Sequence, residues 1–205
     1  MLVQMRLVQM PSLYELKPRF QGMLRPCVAW LARVGVTANQ VTIATGLASV
    51  LLGAALAVEH RGWLLLPLFL MLRMALNAAD GMLAREHGQA SKLGAVLNEL
   101  IDVISDAALT LPFATLAGWN SLLIAGAIFF AALTEMAGLV GLLIGSTRRY
   151  DGPFGKSDRA LVVGVLAAWL ALGSPVSDLV RIAGPVSWIL LCCATVVQRV
   201  RRALG

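Results

Sequence analysis

Long apolar runs separated by short polar connections constrain the fold of this chain more than any other feature. A helix of about 20 residues crosses the roughly 30 Å hydrocarbon core of a bilayer. Six runs approach or reach that length, at residues 41–58, 63–79, 96–116, 122–144, 161–172 and 180–197. The fifth is short, and its helix could begin inside the preceding loop. Because no run alternates with a period of two, we expect helices rather than barrel strands.

Composition agrees with a membrane protein. Of the 205 residues, 59% are hydrophobic and only 14% are charged, whereas soluble domains carry about 25% charged residues. We therefore predict an all-α integral membrane protein, one domain over residues 1–205, with a bundle of six transmembrane helices at residues 41–197. Apolar residues recur at helical spacing within residues 12–34, and Trp30 suits an interface anchor. This pattern predicts an N-terminal amphipathic helix on the membrane surface, kinked or restarted at Pro26. A basic leader is the alternative.

Basic residues orient the predicted spans. They concentrate before the first span, in the second–third and fourth–fifth connections, and in the tail. Lys and Arg mark the cytoplasmic side, so we expect both termini in the cytoplasm and the chain in the inner (cytoplasmic) membrane. The net charge of +6 then reflects topology and attraction to anionic lipid, not nucleic-acid binding. The first ten residues lack a signal-peptide cleavage site. We expect residues 1–9 to contribute nothing to the fold, with Met10 as an alternative start.

Polar and charged residues cluster at the junction of the second and third spans. A charge inside a span costs about 2.5–3.5 kcal/mol on insertion scales and marks a functional candidate. Helical spacing puts one set on one face of the second helix and another on one face of the third. The two sets are Asn77, Asp80, Gly81, Ala84 and Arg85, and Gly94, Asn98, Asp102 and Asp106. Packed together, they offer oxygen ligands, small residues and one arginine, which suit a pyrophosphate held by a hard divalent cation. A purely structural polar cluster is the alternative, although neighbouring carboxylates repel unless a cation or proton lies between them.

This spacing resembles the signature of the CDP-alcohol phosphotransferases, Asp-x2-Asp-Gly-x2-Ala-Arg-x8-Gly-x3-Asp-x3-Asp, from residue 77 to residue 102. The six-span layout, the surface helix and residues 37–42 also fit that family. Two positions differ, because the first and third aspartates of the signature are Asn77 and Asn98 here. Each change removes a negative charge but keeps an oxygen that can bind a hard cation.

The resemblance implies transfer of a phosphatidyl group from CDP-diacylglycerol to an alcohol at the membrane, with release of CMP. It implies Asp102 as general base and Mg²⁺ or Mn²⁺ as cofactor. The implied metal ligands are Asn77, Asp80, Asn98 and Asp102, with Glu99 and Asp106 as further candidates. The implied CDP-binding residues are Asn39, Thr42, Asp80, Gly81, Ala84, Arg85 and Gly94. A non-catalytic binder of nucleotide or lipid headgroups, with a disabled metal site, is the second hypothesis. A small transporter is the third, but neither related halves nor broken helices are evident.

Three further expectations concern the remaining charges and small residues. Arg148, Lys156 and Arg159 flank a Gly/Pro-containing loop and could bind an anionic group of the acceptor; positive-inside charge alone is the alternative. Glu135 and Arg73 each need a partner in apolar surroundings, so we predict that they pair. The Gly141–Gly145 spacing predicts close helix packing or a homodimer. The sequence does not name the acceptor: glycerol 3-phosphate, an inositol phosphate and serine all remain open.

Overall fold

A computed structural model describes residues 13–205, with side chains from residue 20 onward. Within these residues the chain is helical and has no strand. The α-helices are α1 (Leu13–Arg33), α2 (Ala38–Val58), α3 (Leu65–Glu86), α4 (Lys92–Thr110), α5 (Ser121–Val140), α6 (Lys156–Ala171) and α7 (Asp178–Leu204). Short 3-10 helices lie at His60–Gly62, Leu111–Thr115 and Gly141–Ile144. The expectations for residues 1–9 and Met10 lie outside the described residues.

Several helices extend beyond the apolar runs that predicted them. Helix α3 continues through the polar motif to Glu86, seven residues past the predicted end of its span at residue 79. Helix α4 begins after Ser91, whose hydroxyl accepts a hydrogen bond from the backbone N–H of Gly94 at 2.9 Å. Helix α6 begins at Lys156, inside the preceding polar loop. Apolar periodicity therefore locates the membrane-embedded part of each helix, while the polar ends follow capping and contacts with other helices.

Four helical segments of the described chain are long and apolar enough to cross a membrane: Ala38–Val58, Leu65–Glu86, Ser121–Ile144 and Asp178–Leu204. Helix α4 carries four charged residues, Lys92, Glu99, Asp102 and Asp106, among its 19 residues. Helix α6 has only 16 residues. The all-helical class is confirmed, and the count of six spans stays a prediction.

Helix α1 packs beside the polar end of α3. It runs from Leu13 to Arg33 without ending or restarting at Pro26. Val28 is fully buried against α2 and α3, whereas Met23 and Trp30 are exposed. The Arg25 guanidinium binds the Glu86 carboxylate at 3.0 Å. The exposed apolar side chains suit contact with lipid, and the position of α1 on the membrane surface stays a prediction.

Glycines allow α2 and α4 to approach closely. A methyl group on Gly53 would collide with the backbone carbonyl of Ala108, and one on Gly46 would lie 2.6 Å from the Ile101 side chain. Because α3 packs on the same helix α2, the polar faces of α3 and α4 meet beside it.

The Gly141–Gly145 spacing does not form a helix-packing motif. Helix α5 ends at Val140, and Gly141 opens a 3-10 helix. Gly145 has a φ of 77°, in the left-handed region that ends a helix. The two glycines therefore share no α-helical face, and only Gly141 packs closely on α7, where an added methyl group would lie 3.3 Å from the Cβ of Ala203. The homodimer stays a prediction.

Candidate active site

A cavity of about 280 Å³, which we call the motif cavity, lies between α2, α3 and α4. Its lining contains every residue that was expected to bind CDP, together with Asn77 and Asn98. These predicted residues are Asn39, Thr42, Asn77, Asp80, Gly81, Ala84, Arg85, Gly94 and Asn98. The lining also includes residues that the sequence reasoning missed, namely Ala38, Gln89, Ala90, Ser91 and Ala95. The structure thus brings the predicted face of α3 and the first half of the predicted face of α4 together around one space, and Asp102 and Asp106 lie outside it.

Two helix N-termini border this cavity. Thr37 caps α2 and Ser91 caps α4, and residues of both first turns line the space. Gln89 ties the two ends together, because its amide oxygen accepts a hydrogen bond from the backbone N–H of Ala38 at 2.7 Å. The positive ends of two helix dipoles suit an anion. A Ser cap three residues before Gly94 could have been found from the sequence; Gln89 lies in a turn and carries no periodic signal.

The two motif glycines make room for polar side chains. A methyl group on Gly81 would lie 2.9 Å from a guanidinium nitrogen of Arg85. A methyl group on Gly94 would lie 2.6 Å from the amide oxygen of Asn39. A larger residue at either position would therefore push a polar group away from its present place in the lining.

Asp80 is the acidic residue in the lining of the motif cavity. Its side chain is held by Thr42, whose hydroxyl donates to Asp80 Oδ2 at 2.8 Å. Only 6% of Asp80 is exposed. A buried carboxylate needs donors or a cation, so Thr42 fixes one oxygen and leaves the other for further partners.

Asp102 lies beside this cavity and joins it to α6. Asn77 donates from Nδ2 to Asp102 Oδ1 at 3.1 Å. Arg73 Nη2 lies 3.2 Å from the same oxygen, and Lys156 forms an ion pair with Asp102 Oδ2. An ionised aspartate at position 77 could only accept hydrogen bonds, so the amide supplies a contact that the residue of the family signature could not.

The oxygen donors suit one divalent cation. Within residues 13–205, no three His, Cys, Asp or Glu side chains converge to hold a metal. The lining nevertheless offers the Asp80 carboxylate and the amides of Asn77 and Asn98. Mg²⁺ is commonly bound by one or two carboxylates together with substrate phosphates. The donor set fits that arrangement and is short of carboxylates for two cations.

Glu99 and Asp106, the further metal-ligand candidates, do not line the cavity. Glu99 forms an ion pair with Arg148. Asp106 binds Arg73 at 2.5 Å and lies 3.9 Å from Arg159. Asp106 therefore balances buried arginines, and Glu99 balances the partly buried Arg148.

The predicted pair of Arg73 and Glu135 is wrong. Arg73 binds Asp102 and Asp106 of α4, while Glu135 binds Arg159 at 2.7 Å. Each residue does have a partner of opposite charge, as burial requires. Helical spacing showed that both needed one, but it did not show which helices would be neighbours.

A second polar cluster surrounds Glu135, and we call it the Glu135 cluster. It consists of Glu135 with Arg148, Arg159 and Arg199. Arg199 has a side chain only 2% exposed, although it stands in the basic tail. The three residues expected to bind the acceptor each contact a carboxylate of the protein. Arg148 binds Glu99, Lys156 binds Asp102, and Arg159 binds Glu135.

The fold and the motif cavity together describe an all-helical membrane protein with a polar cavity between three of its helices. Residues 35–200 match the model of the CDP-alcohol phosphatidyltransferase family, and the chain belongs to this family.

Comparison with known proteins gives further relatives. The chain is 50% identical to the inner membrane protein YnbA of Escherichia coli (strain K12) over 163 residues, which cover 78% of this chain and 81% of YnbA. It is 27% identical to a phosphatidylinositol phosphate synthase of Streptomyces avermitilis over 190 residues, covering 88% and 78% of the two chains.

Solved structures of one enzyme share the fold. The phosphatidylinositol phosphate synthase PgsA1 of Mycobacterium tuberculosis, solved with CDP-DAG bound, superposes with a TM-score of 0.69 at 22% identity, covering 87% of this chain and 92% of that one. The same enzyme in complex with manganese and citrate gives a TM-score of 0.70, with 88% of each chain covered. These matches agree with the apolar helices in describing an integral membrane protein.

Proposed function

We propose that this protein transfers a phosphatidyl group from CDP-diacylglycerol to an alcohol and releases CMP, as a step of phospholipid synthesis. The observation that carries the proposal is the motif cavity, where every signature residue except Asp102 lines one space between α2, α3 and α4; Asp102 lies beside it, in contact with Asn77. The size of the cavity, its two helix N-termini and Arg85 suit the charged part of a CDP-lipid. The solved relative with bound CDP-DAG supports this choice of donor.

In the proposed reaction, Asp102 takes the proton of the acceptor hydroxyl. The hydroxyl oxygen forms a bond to the β-phosphorus of the CDP-alcohol, and the bond from that phosphorus to the bridging oxygen breaks. CMP leaves with the bridging oxygen. Asn77 and Arg73 hold Asp102 through its Oδ1 atom, while Arg85 and the helix N-termini balance the charge of the pyrophosphate.

We assign a divalent cation, Mg²⁺ or Mn²⁺, to Asp80, Asn77 and Asn98. Such a cation neutralises charge on the pyrophosphate when it is bound. Asp102 was also expected as a metal ligand. Because Arg73 and Lys156 occupy its two oxygens, we propose that its main role is that of base.

Orientation and topology form part of the proposal. We place the motif cavity at the cytoplasmic face of the inner membrane, with both termini inside and six helices in the bundle. The basic loops support this orientation, and the name of the Escherichia coli relative supports the membrane. Helices α4 and α6 would cross beside the four apolar helices, with their charged residues turned toward one another.

A non-catalytic binder remains the second hypothesis. One observation favours it: both oxygens of Asp102 are already engaged, by Asn77, Arg73 and Lys156. A base must release such partners or share them while it takes a proton.

The test is CMP release by purified protein from CDP-diacylglycerol with a panel of alcohols, with and without EDTA. We expect release that depends on acceptor and cation. Asp102→Asn should lower turnover about 10²–10⁴-fold, the range for a positioned general base. Asp178→Asn is the matched control, since that carboxylate is exposed at the start of α7. Binding of CDP-diacylglycerol without CMP release, for every acceptor, would favour the binder.

A further inference from the structure

Glu135 is a buried carboxylate surrounded by three guanidinium groups. Its Oε1 atom lies 2.7 Å from Arg159 Nη2 and 3.6 Å from Arg199 Nη1, and its Oε2 atom lies 3.8 Å from Arg148 Nη2. The side chains of Arg159 and Arg199 are 4% and 2% exposed. Three cations thus converge on one protein carboxylate.

The arginines are held by other groups as well. Arg159 donates to the Thr134 hydroxyl at 2.9 Å and to the Phe154 carbonyl at 3.2 Å. Arg199 donates to the Asp151 carbonyl at 3.1 Å and to the carbonyl of Thr134. These bonds fix the two guanidinium groups in place around Glu135.

A small cavity lies on the side of Glu135 that faces Arg73 and Asp106. Its volume is about 30 Å³, and Arg159 also lines it. A polar cavity of this size can hold water. Such a water would also serve the Nε atoms of Arg73 and Arg159, which are buried and have no hydrogen-bond partner among the described residues.

The Glu135 cluster lies next to the proposed base. Arg159 lies 3.9 Å from Asp106, and Asp106 binds Arg73, which also contacts Asp102. Buried arginines in this position could recognise a phosphate on the acceptor. In this chain, the Glu135 carboxylate takes that place.

We infer that Glu135 acts as an internal anion and that the acceptor is therefore an alcohol without a phosphate group. This inference rests on the proposed function and specifies its acceptor. The three arginines are already balanced by Glu135, by Glu99 at Arg148 and by Asp106 near Arg159. A phosphorylated acceptor would therefore bring an excess anion beside buried carboxylates, and like charges placed together are strongly disfavoured. Glu135 is thus a residue that determines specificity by exclusion.

The experiment compares matched pairs of acceptors: glycerol with glycerol 3-phosphate, and inositol with inositol 1-phosphate. We expect kcat/KM for CMP release to be at least about tenfold higher for the member without phosphate. Glu135→Gln should reduce or reverse this ratio, because it leaves the arginines free to bind an anion. Glu59→Gln is the matched control, since Glu59 is largely exposed and lies at the other end of α2. Preference of the wild-type enzyme for the phosphorylated member would overturn the inference and leave the proposed function standing.

A second measurement does not depend on turnover. Thermal unfolding of the purified protein is followed with inorganic phosphate or glycerol 3-phosphate. We expect stabilisation of Glu135→Gln but not of the wild type. Stabilisation of the wild type that disappears in Arg159→Gln would overturn the inference, even if no acceptor supports CMP release and the proposed function fails. If Glu135→Gln does not fold, as loss of one partner from a buried charge cluster can cause, the wild-type measurements decide alone.

Discussion

Replacement of Thr42 by valine tests whether Asp80 is held in place for binding. The two side chains have nearly the same shape, so the change removes one hydroxyl group. That hydroxyl donates to Asp80 Oδ2 at 2.8 Å and lies 3.1 Å from the carbonyl oxygen of Ala38. The carbonyl keeps its helical hydrogen bond in the variant, whereas the buried carboxylate loses a donor.

The size of the effect follows from the kind of hydrogen bond. A bond to a charged group contributes about 1.5–3 kcal/mol to stability, and a neutral one about 0.5–1.5 kcal/mol. One turn further along α2, the equally buried Thr45 donates at 2.8 Å only to the carbonyl oxygen of Val41. Thr45→Val is thus a matched control with a smaller expected loss. For a chain of this length, 1 kcal/mol corresponds to about 2–4 °C in Tm, so Thr42→Val should lower Tm by about 3–12 °C.

The assay combines thermal unfolding in detergent with CMP release at varied CDP-diacylglycerol. We expect Thr42→Val to raise KM for the donor, because the Asp80 carboxylate is no longer fixed toward the cavity. Thr42→Ser keeps the hydroxyl and should restore both properties. Equal losses in Thr42→Val and Thr45→Val, in stability and in KM, would refute this account of Asp80.

Three further substitutions follow from the same contacts. Gly94→Ala should weaken CDP-lipid binding, measured by KM, because the methyl group displaces the Asn39 amide; unchanged KM would count against that contact. Gly53→Ala should destabilise the bundle by about 1–3 kcal/mol, typical of overpacking, while Gly184→Ala, with open space around it, should not; thermal unfolding compares them. Asn77→Asp should tighten Mn²⁺ binding, measured by calorimetry, yet lower turnover, since it removes the donor to the proposed base; higher turnover would show that the amide is not needed.

Helical periodicity and the resemblance to the family signature together predicted most of the motif cavity. Asp80, Gly81, Ala84 and Arg85 share a face because they recur every three or four residues, and every residue expected to bind CDP lines the cavity. The same rule could have found the burial of Arg199. Cys192, Thr195 and Arg199 follow one another at helical spacing and are all buried on α7, while Arg201 and Arg202 are exposed. Because Arg199 stands among other basic residues of the tail, this helical spacing was not recognised.

Partners between helices could not be predicted in this way. Periodicity states which side of a helix is polar, but it does not state which neighbour that side meets. The sequence therefore predicted Arg73 as the partner of Glu135 on α5, whereas in the structure Arg159 of α6 makes that contact. The number of membrane-spanning helices could not be decided from composition for a related reason. Helix α4 uses its charged residues to contact other helices, so its composition alone does not mark it as a span.

The charges of the two polar regions are linked through Asp102 and Asp106. The asparagines at positions 77 and 98 remove two negative charges relative to the family signature, as much charge as one divalent cation carries. Lys156 and Arg73, fixed cations of the protein, meet Asp102. A site with fewer carboxylates and more internal cations needs fewer metal ions for electrostatic balance. The two asparagines and the arginine contacts of α4 therefore belong to one arrangement. In this arrangement, protein side chains supply positive charge beside the proposed base.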